Sequence, residues 1–244
     1  NAQFLQQCEI VTNTFHPSEN IFFAMDGPNP AAKFQTQRKN RFQESINKIK
    51  TNDEFQYPNE EMCREEYEKI KNDETESIDN ILKIFLQNLS QNENCLTKRI
   101  LYSGRRAAGE AEHKYLDFFR KQKSSPEWKP HQNHFIFSND NDLIFLALQF
   151  TDENFYVIKF NFDEQNNLIY DIIDISSIRK YFLNQIYNRF IERTPQFEAR
   201  IIKDIIGLSF ILGNDFIPDF EDVEQRSGTF IQFIKAYSMI NKYC

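Results

Sequence analysis

The sequence predicts an α/β domain with a mostly parallel central sheet that is flanked by helices on both faces. Short apolar runs typical of buried strands alternate along the chain with longer segments whose apolar residues recur at helical spacing. Parallel strands require a crossover connection, and a helix is the usual one, so the alternation favours a parallel sheet. No internal repeat and no linker rich in Pro, Gly or Ser interrupts the pattern, and residues 1–244 are therefore expected to form a single domain.

Five segments have the length and composition of strands. Three are short apolar runs, IFFAMD, RILYS and HFIFS, and two longer ones, NFYVIKFNF and LIYDIID, alternate between apolar and polar residues. We predict strands over residues 21–26, 99–103, 134–138, 154–162 and 168–174. Amphipathic patterns predict helices over residues 3–13, 31–50, 77–91, 110–121, 142–149, 175–191, 196–212 and 228–241.

The composition excludes several classes of protein. A hydrophobic fraction of 40% is enough to build a core, which argues against disorder. The net charge of −7 excludes a globally basic nucleic-acid binder, although it allows a locally basic groove. No apolar run reaches about 18 residues, so no membrane span is expected. The four cysteines are widely spaced and form no CxxC pair, which predicts reduced thiols in an intracellular protein, cytoplasmic or nuclear.

Acidic residues follow three of the predicted strands and one apolar helix, and three of the chain's six glycines stand beside them, in Asp26-Gly27, Gly109-Glu110 and Gly213-Asn214-Asp215. Glycine allows a sharp turn or a close backbone approach at the end of a strand. In open α/β sheets, ligands bind beyond the carboxyl ends of the strands. Four separate segments can therefore deliver carboxylates to one edge of one sheet. The candidate catalytic and metal-binding acids are Asp26, Glu110, Glu112, Asp140, Asp142 and Asp215.

Six carboxylates in one pocket would repel each other strongly unless cations compensate their charge. Mg²⁺ and Mn²⁺ prefer oxygen ligands, and two such ions roughly 3.5–4 Å apart can clamp the attacking and leaving oxygens of a phosphodiester. Each acid by itself also fits a simpler role. Asp140-Asn141-Asp142 can be a helix N-cap, and Gly109-Glu110-Ala111-Glu112 can be a charged helix start. Both interpretations remain open for each residue.

A basic stretch follows Asp26. Residues 33–50 contain six Lys or Arg and one Glu, which is a local charge of +5 in a chain of −7. At helical spacing, Lys33, Gln37 and Arg41 line one face, which can hold a terminal phosphate beside the metal ions. An ordinary solvated helix face would have the same composition.

Four motifs in order resemble the Xrn/Rat family of 5′→3′ exoribonucleases. They are AMDGPNPAAKFQTQRKNRF at residues 24–42, GEAEHK at 109–114, SNDNDLIFLAL at 138–148 and GNDFIPDF at 213–220. The resemblance implies a PIN/FEN-like nuclease core that hydrolyses single-stranded RNA with a 5′-monophosphate to nucleoside 5′-monophosphates, with two Mg²⁺ or Mn²⁺ ions. It matches the six acids to metal ligands, and Lys33, Gln37 and Arg41 to the binding site of the 5′-phosphate. His113 and Lys114 match the motif without an assigned role.

The chain departs from the family pattern at three places. Asn40 stands where the family has an Arg, and Ala111 replaces a Gly. An N-terminal strand of the family, which bears another Asp and a His, is missing, and a downstream region would follow Cys244. The domain is therefore expected to be incomplete at both ends. Two alternatives are kept: a catalytically degenerate RNA-binding or structural subunit of a ribonucleoprotein, and a DNA flap or PIN-like nuclease.

Overall fold

The computed structural model describes residues 2–28, 33, 38, 42, 80–92, 97–163, 165, 168–186, 194–212 and 228–240. The chain divides into two compact units, residues 1–124 and 125–244. The single domain expected from the sequence stays a prediction. Among the described helices, none is both long and apolar enough to cross a bilayer.

The first unit contains a two-stranded parallel sheet between helices. Strand β1 pairs with β2 in a register that runs from Asn20 opposite Arg99 to Ala24 opposite Ser103. The elements in chain order are α1 (Ala2–Phe15), β1 (Asn20–Ala24), α2 (helical over residues 80–91), β2 (Arg99–Ser103) and α3 (Ala111–Lys123).

Helices pack on both faces of this small sheet. Successive side chains of a strand point to opposite faces, so neighbouring residues of β1 contact different helices. Phe22 stacks on Phe118 of α3, with ring centroids 4.8 Å apart. Its neighbour Phe23 meets Phe85 of α2 edge to face at 6.2 Å. The free thiol of Cys8 on α1 is buried in the cluster on the same side as Phe85, where burial raises its pKa to about 11.

The second unit contains a three-stranded sheet in the order β3-β4-β5. Strand β3 is parallel to β4, and β5 is antiparallel to it. The elements are β3 (Asn133–Phe137), α4 (Asp142–Leu148), β4 (Asn154–Phe162), β5 (Leu168–Asp174), α5 (Ile175–Ile186), α6 (Pro195–Ile211) and α7 (Thr229–Ile240).

The middle of β4 is buried on both faces. Val157 and Ile158 are neighbours that point in opposite directions, and both are 0% exposed. Helices α4 and α5 both contact β4. The Tyr237 hydroxyl on α7 donates a hydrogen bond to the Asp204 carboxylate on α6, which joins the last two helices.

The predicted α/β class is confirmed, and two of the three pairings among the described strands are parallel. All five predicted strands are present within two residues of their predicted ends. The described strands form two sheets, however, and the single central sheet expected from the sequence is not formed by these five strands alone. Among residues 31–50, predicted to be one helix, the structure describes only Lys33, Arg38 and Phe42. Lys33 lies in a 3₁₀ turn, and the other two are helical.

The loop after β1 passes so close to the loop after β2 that only glycine fits. A Cβ atom placed on Gly27 would lie 1.7 Å from the carbonyl oxygen of Ala107. The amide of Gly27 donates to the carbonyl of Gly109 at 2.9 Å, and the amide of Gly109 donates to the carbonyl of Pro28 at 3.1 Å. This reciprocal pair of hydrogen bonds holds the ends of the two strands against each other.

We predict that Gly27→Ala destabilises the protein by about 1–3 kcal/mol, because the new methyl group overlaps a backbone carbonyl and the loop must shift. Gly207→Ala is the matched control. Gly207 lies inside α6, and beyond its chain neighbours and the backbone of its own helix no atom lies within 4 Å of an added Cβ, so this change should stabilise the protein by about 0.5–1 kcal/mol. Thermal denaturation of both variants measures the difference. Equal stability in the two would contradict the close approach at Gly27.

Candidate metal centre

Asp26 connects the end of β1 to the start of α3. The amide of Ala111, the first residue of the helix, donates to Oδ1 of Asp26 at 2.8 Å. Glu110 occupies the N-cap position itself with an extended backbone, and its side chain makes no capping hydrogen bond. The Asp26 carboxylate instead satisfies a free amide of the first turn, and its negative charge interacts favourably with the helix dipole. The simpler role considered for Asp26, that of a cap, is therefore present, although Asp26 caps a helix that begins 85 residues later.

Glu110 is the buried acid of the site. It is only 3% exposed, and the ammonium of Lys33 contacts its Oε1 as an ion pair. Its Oε2 faces Nδ1 of His113 at 3.5 Å, and it is buried without a hydrogen-bond partner. A buried charge is strongly unfavourable unless it is paired or bound to a metal. Glu110 therefore has one compensated oxygen and one oxygen that is available to a cation.

Glu110, Glu112 and His113 form a cluster that fits a metal ion. One ligand atom of each residue lies within 4.8 Å of the others. Two ligands of one ion, each bonded at about 2.0–2.6 Å, can lie up to roughly 4–5 Å apart. Carboxylate oxygens suit Mg²⁺ and Mn²⁺, and an imidazole nitrogen is accepted by Mn²⁺ and other transition metals. Because the buried Oε2 of Glu110 lacks a hydrogen bond, the residues present fit a divalent cation.

His113 has a place in this cluster that the sequence did not assign to it. It lies three residues after Glu110 along one face of the first turn of α3, which brings Nδ1 next to Oε2. The spacing of Glu110 and His113 in the GEAEHK motif, one helical turn apart, is the signal from which this contact could have been predicted.

Lys114 joins the ends of the two strands. Its ammonium donates to the carbonyl oxygens of Met25 at 2.6 Å and of Gly104 at 3.0 Å, which follow β1 and β2 respectively. Burial lowers the pKa of Lys114, and the charge of Asp26 opposes that shift. These contacts give Lys114 a structural role, because it holds together the chain segments that follow β1 and β2.

Asp140 and Asp142 lie in the second unit, where Asp140 belongs to the loop between β3 and α4 and Asp142 is the first residue of α4. Both are exposed. The amide of Asp142 donates to Oδ1 of Asp140 at 2.9 Å, so Asp140 closes an Asx turn at the start of α4. The N-cap position of α4 is occupied by Asn141, whose side chain makes no capping hydrogen bond, so the turn at Asp140 is the local contact that this motif forms.

Strand β4 holds this loop in place. Oδ1 of Asn139 accepts the amide of Phe160 at 2.8 Å, while its Nδ2 donates to the carbonyl of Phe160 at 3.1 Å. The Asn139 side chain thus continues the strand pairing beyond the end of β3. The ammonium of Lys159 donates to the carbonyl oxygen of Asn139 at 3.3 Å and to Oδ1 of Asn141. Asp140 therefore lies between two asparagines that are both hydrogen-bonded to β4.

The structure brings some of the predicted site residues together within each unit. Glu110 and Glu112 belong to one cluster, Asp26 accepts the amide of Ala111 that lies between them in sequence, and Asp140 lies two residues before Asp142 at the start of α4. Lys33, which was assigned to a phosphate, contacts Glu110. Asp215, Gln37 and Arg41 lie outside the described residues. One pocket shared by all six acids stays a prediction.

We predict that Lys114→Met destabilises the protein by about 1–3 kcal/mol, because two carbonyl oxygens lose a charged donor at the ends of the sheet. Lys121→Met, at an exposed position of the same helix, should change the stability by less than about 0.5 kcal/mol. Urea denaturation of the two variants tests this. A loss of stability as large in Lys121→Met would show that the strand ends do not depend on Lys114.

Comparison with known proteins identifies the family. The model of the family described as "XRN 5'-3' exonuclease N-terminus" matches residues 2–161. The chain is 25% identical to "5'-3' exoribonuclease 1" of Saccharomyces cerevisiae over 96% of its own length and 17% of that protein. It is 27% identical to "5'-3' exoribonuclease 1" of Homo sapiens, over 86% of the chain and 13% of that protein.

A third relative is "5'-3' exoribonuclease 2" of Gallus gallus, which is 23% identical over 94% of the chain and 30% of that protein. The chain thus spans less than a third of the length of these relatives. The family match covers more than half of the 244 residues and includes Asp26, the GEAEHK motif and the loop with Asp140 and Asp142. The chain belongs to the XRN 5'-3' exonuclease N-terminus family.

Proposed function

We propose that this protein is a metal-dependent 5′→3′ exoribonuclease that hydrolyses single-stranded RNA with a 5′-monophosphate to nucleoside 5′-monophosphates. The observation that carries the proposal is the cluster of Glu110, Glu112 and His113 at the carboxyl ends of a parallel strand pair, with a buried oxygen of Glu110 available to a cation. The names of these relatives, all 5'-3' exoribonucleases, support the direction of cleavage and RNA as the class of substrate.

The metal-binding role is proposed for all six acids, with His113 as an added ligand. Two divalent ions, Mg²⁺ or Mn²⁺, would supply Lewis-acid stabilisation of phosphodiester oxygens and a bound water of lowered pKa. The protein's own groups compensate and orient the acids. Asp26 is held by its bond to the Ala111 amide, and Asp140 is held by the Asx turn to Asp142. Positioned carboxylates of this kind reduce the reorganisation needed when the ions and the RNA bind.

The site for the 5′-phosphate is proposed at Lys33, Gln37 and Arg41. Lys33 contacts Glu110, so its ammonium lies at the edge of the candidate metal centre. A phosphate bound by this ammonium would stand next to the metal ions, which is where a terminal phosphate must be if the first phosphodiester is to be cleaved. This placement supports cleavage from the 5′ end one nucleotide at a time.

A second function is favoured by the same ion pair. Lys33 can take the place of a metal ion in compensating the charge of Glu110, as expected of a degenerate homologue that binds RNA or serves as a structural subunit of a ribonucleoprotein. The enzyme is preferred because the pair leaves the second oxygen of Glu110 without a hydrogen bond, beside Glu112 and His113.

The substrate test compares two RNAs that differ only in the 5′ group. With Mg²⁺ or Mn²⁺, the protein at its natural length should release nucleoside 5′-monophosphates from 5′-phosphorylated RNA and leave the 5′-hydroxyl RNA largely intact. Thin-layer or liquid chromatography of the products reports both rates. Equal rates would contradict the proposed phosphate site, and RNA binding without any mononucleotide product would favour the degenerate subunit.

The proposed role of Asp140 can be tested against Asp163, an aspartate in a similar turn of the same unit. Asp140→Ala should abolish cleavage while RNA binding persists, because a proposed metal ligand is lost. Asp163→Ala removes a similar turn, since Oδ1 of Asp163 accepts the amide of Gln165 at 3.0 Å. That variant should keep wild-type activity. Cleavage by Asp140→Ala at the wild-type rate would remove Asp140 from the site, and equal losses in both variants would assign the effect to folding.

A further inference from the structure

The ion pair between Lys33 and Glu110 is the most buried contact between opposite charges at the candidate metal centre. The side chain of Glu110 is 4% exposed and that of Lys33 is 19% exposed. A carboxylate this deep in the protein is stable as an anion only beside a compensating cation. Lys33 supplies that charge at Oε1.

A divalent ion bound by Glu110, Glu112 and His113 would be a second cation on the same carboxylate. Glu110 belongs both to the ion pair and to the candidate metal-binding cluster, since its Oε1 contacts Lys33 while its Oε2 lies beside His113. Two cations held within a few ångströms in a poorly solvated place repel each other strongly. Full compensation by the metal ion therefore weakens the attraction between Glu110 and Lys33.

We propose that Lys33 is a displaceable counter-cation that competes with the divalent ion for Glu110, and that metal binding releases its ammonium to bind an anionic phosphate beside the ion. This inference rests on the proposed function and adds a coupling between its two sites. The flexible four-carbon stem of lysine allows the ammonium to move while the backbone stays in place. Because coupling between two binding sites is reciprocal, metal binding strengthens phosphate binding and phosphate binding strengthens metal binding.

The first experiment measures the affinity for Mn²⁺ by electron paramagnetic resonance of the free ion, with the protein at its natural length. Lys33→Met and Lys33→Gln remove the competing charge, so each should bind Mn²⁺ more tightly than the wild type by at least about five-fold, the lower end of typical coupling. Lys33→Arg keeps the charge and should bind with nearly the wild-type affinity. Lys98→Met removes another Lys–Glu pair, the exposed one to Glu19, and should leave the affinity unchanged.

Thermal unfolding gives a second readout that does not depend on activity. Without metal, Lys33→Met leaves Glu110 buried and uncompensated, so its Tm should fall below that of the wild type. Mn²⁺ should raise the Tm of this variant more than that of the wild type, because tighter binding to the folded state stabilises it more. If Lys33→Met does not fold, Lys33→Arg and Lys33→Gln still decide the question through their Mn²⁺ affinities.

The coupling itself is tested with a short phosphorothioate-linked oligonucleotide, which resists hydrolysis, in 5′-phosphorylated and 5′-hydroxyl forms. In the wild type, the 5′-phosphorylated form should tighten Mn²⁺ binding more than the 5′-hydroxyl form. In Lys33→Met, this difference should disappear. A difference that persists undiminished in Lys33→Met would overturn the assignment of the coupling to Lys33.

The outcomes separate the two proposals. Wild-type Mn²⁺ affinity in Lys33→Met and Lys33→Gln, or equal tightening in Lys33→Arg, would overturn the competition while the metal-dependent nuclease still stands. Absence of Mn²⁺ binding by the wild type and by every variant would overturn the proposed function, and the competition with it.

Discussion

The candidate site depends on the close approach of the loop after β1 to the loop after β2. Gly27 has no room for a Cβ atom against the carbonyl of Ala107, and its amide is bonded to Gly109. Gly109 has a φ of 97°, in the left-handed region that favours glycine. These two glycines bring Asp26 next to the start of α3, where the cluster around Glu110 begins. A parallel strand pair whose loops were further apart would separate these acids.

This approach concentrates charge, and the neighbouring side chains compensate it in different ways. Lys33 pairs with the buried Glu110, whereas Lys114 binds the carbonyl oxygens that end β1 and β2. Asp26 is stabilised by a helix amide. Only the oxygen of Glu110 that faces His113 is buried without a hydrogen bond within this group, which makes it the point where a cation would be stabilised most.

The acids of the second unit are fixed by shorter-range contacts. Asp140 bonds the amide two residues ahead, and Asn139 bonds both polar groups of Phe160 on the adjacent strand. Such a loop is largely determined by its local sequence, because Asp and Asn side chains readily form turns of this kind. The acids are therefore positioned differently in the two units. In the first unit, the close approach of two loops positions them, and in the second unit, a local turn does so.

The sequence by itself determined the α/β class, the five strands, the ends of most described helices and the position of the acids after strands, because apolar periodicity and glycine placement are local properties. It could not determine that β5 runs antiparallel to β4, since period-two alternation fits either direction. Only the tertiary structure decided that Asp26 caps a helix and that Lys33 pairs with the buried Glu110. Both contacts join residues about 80 positions apart, and no local pattern of the sequence encodes them.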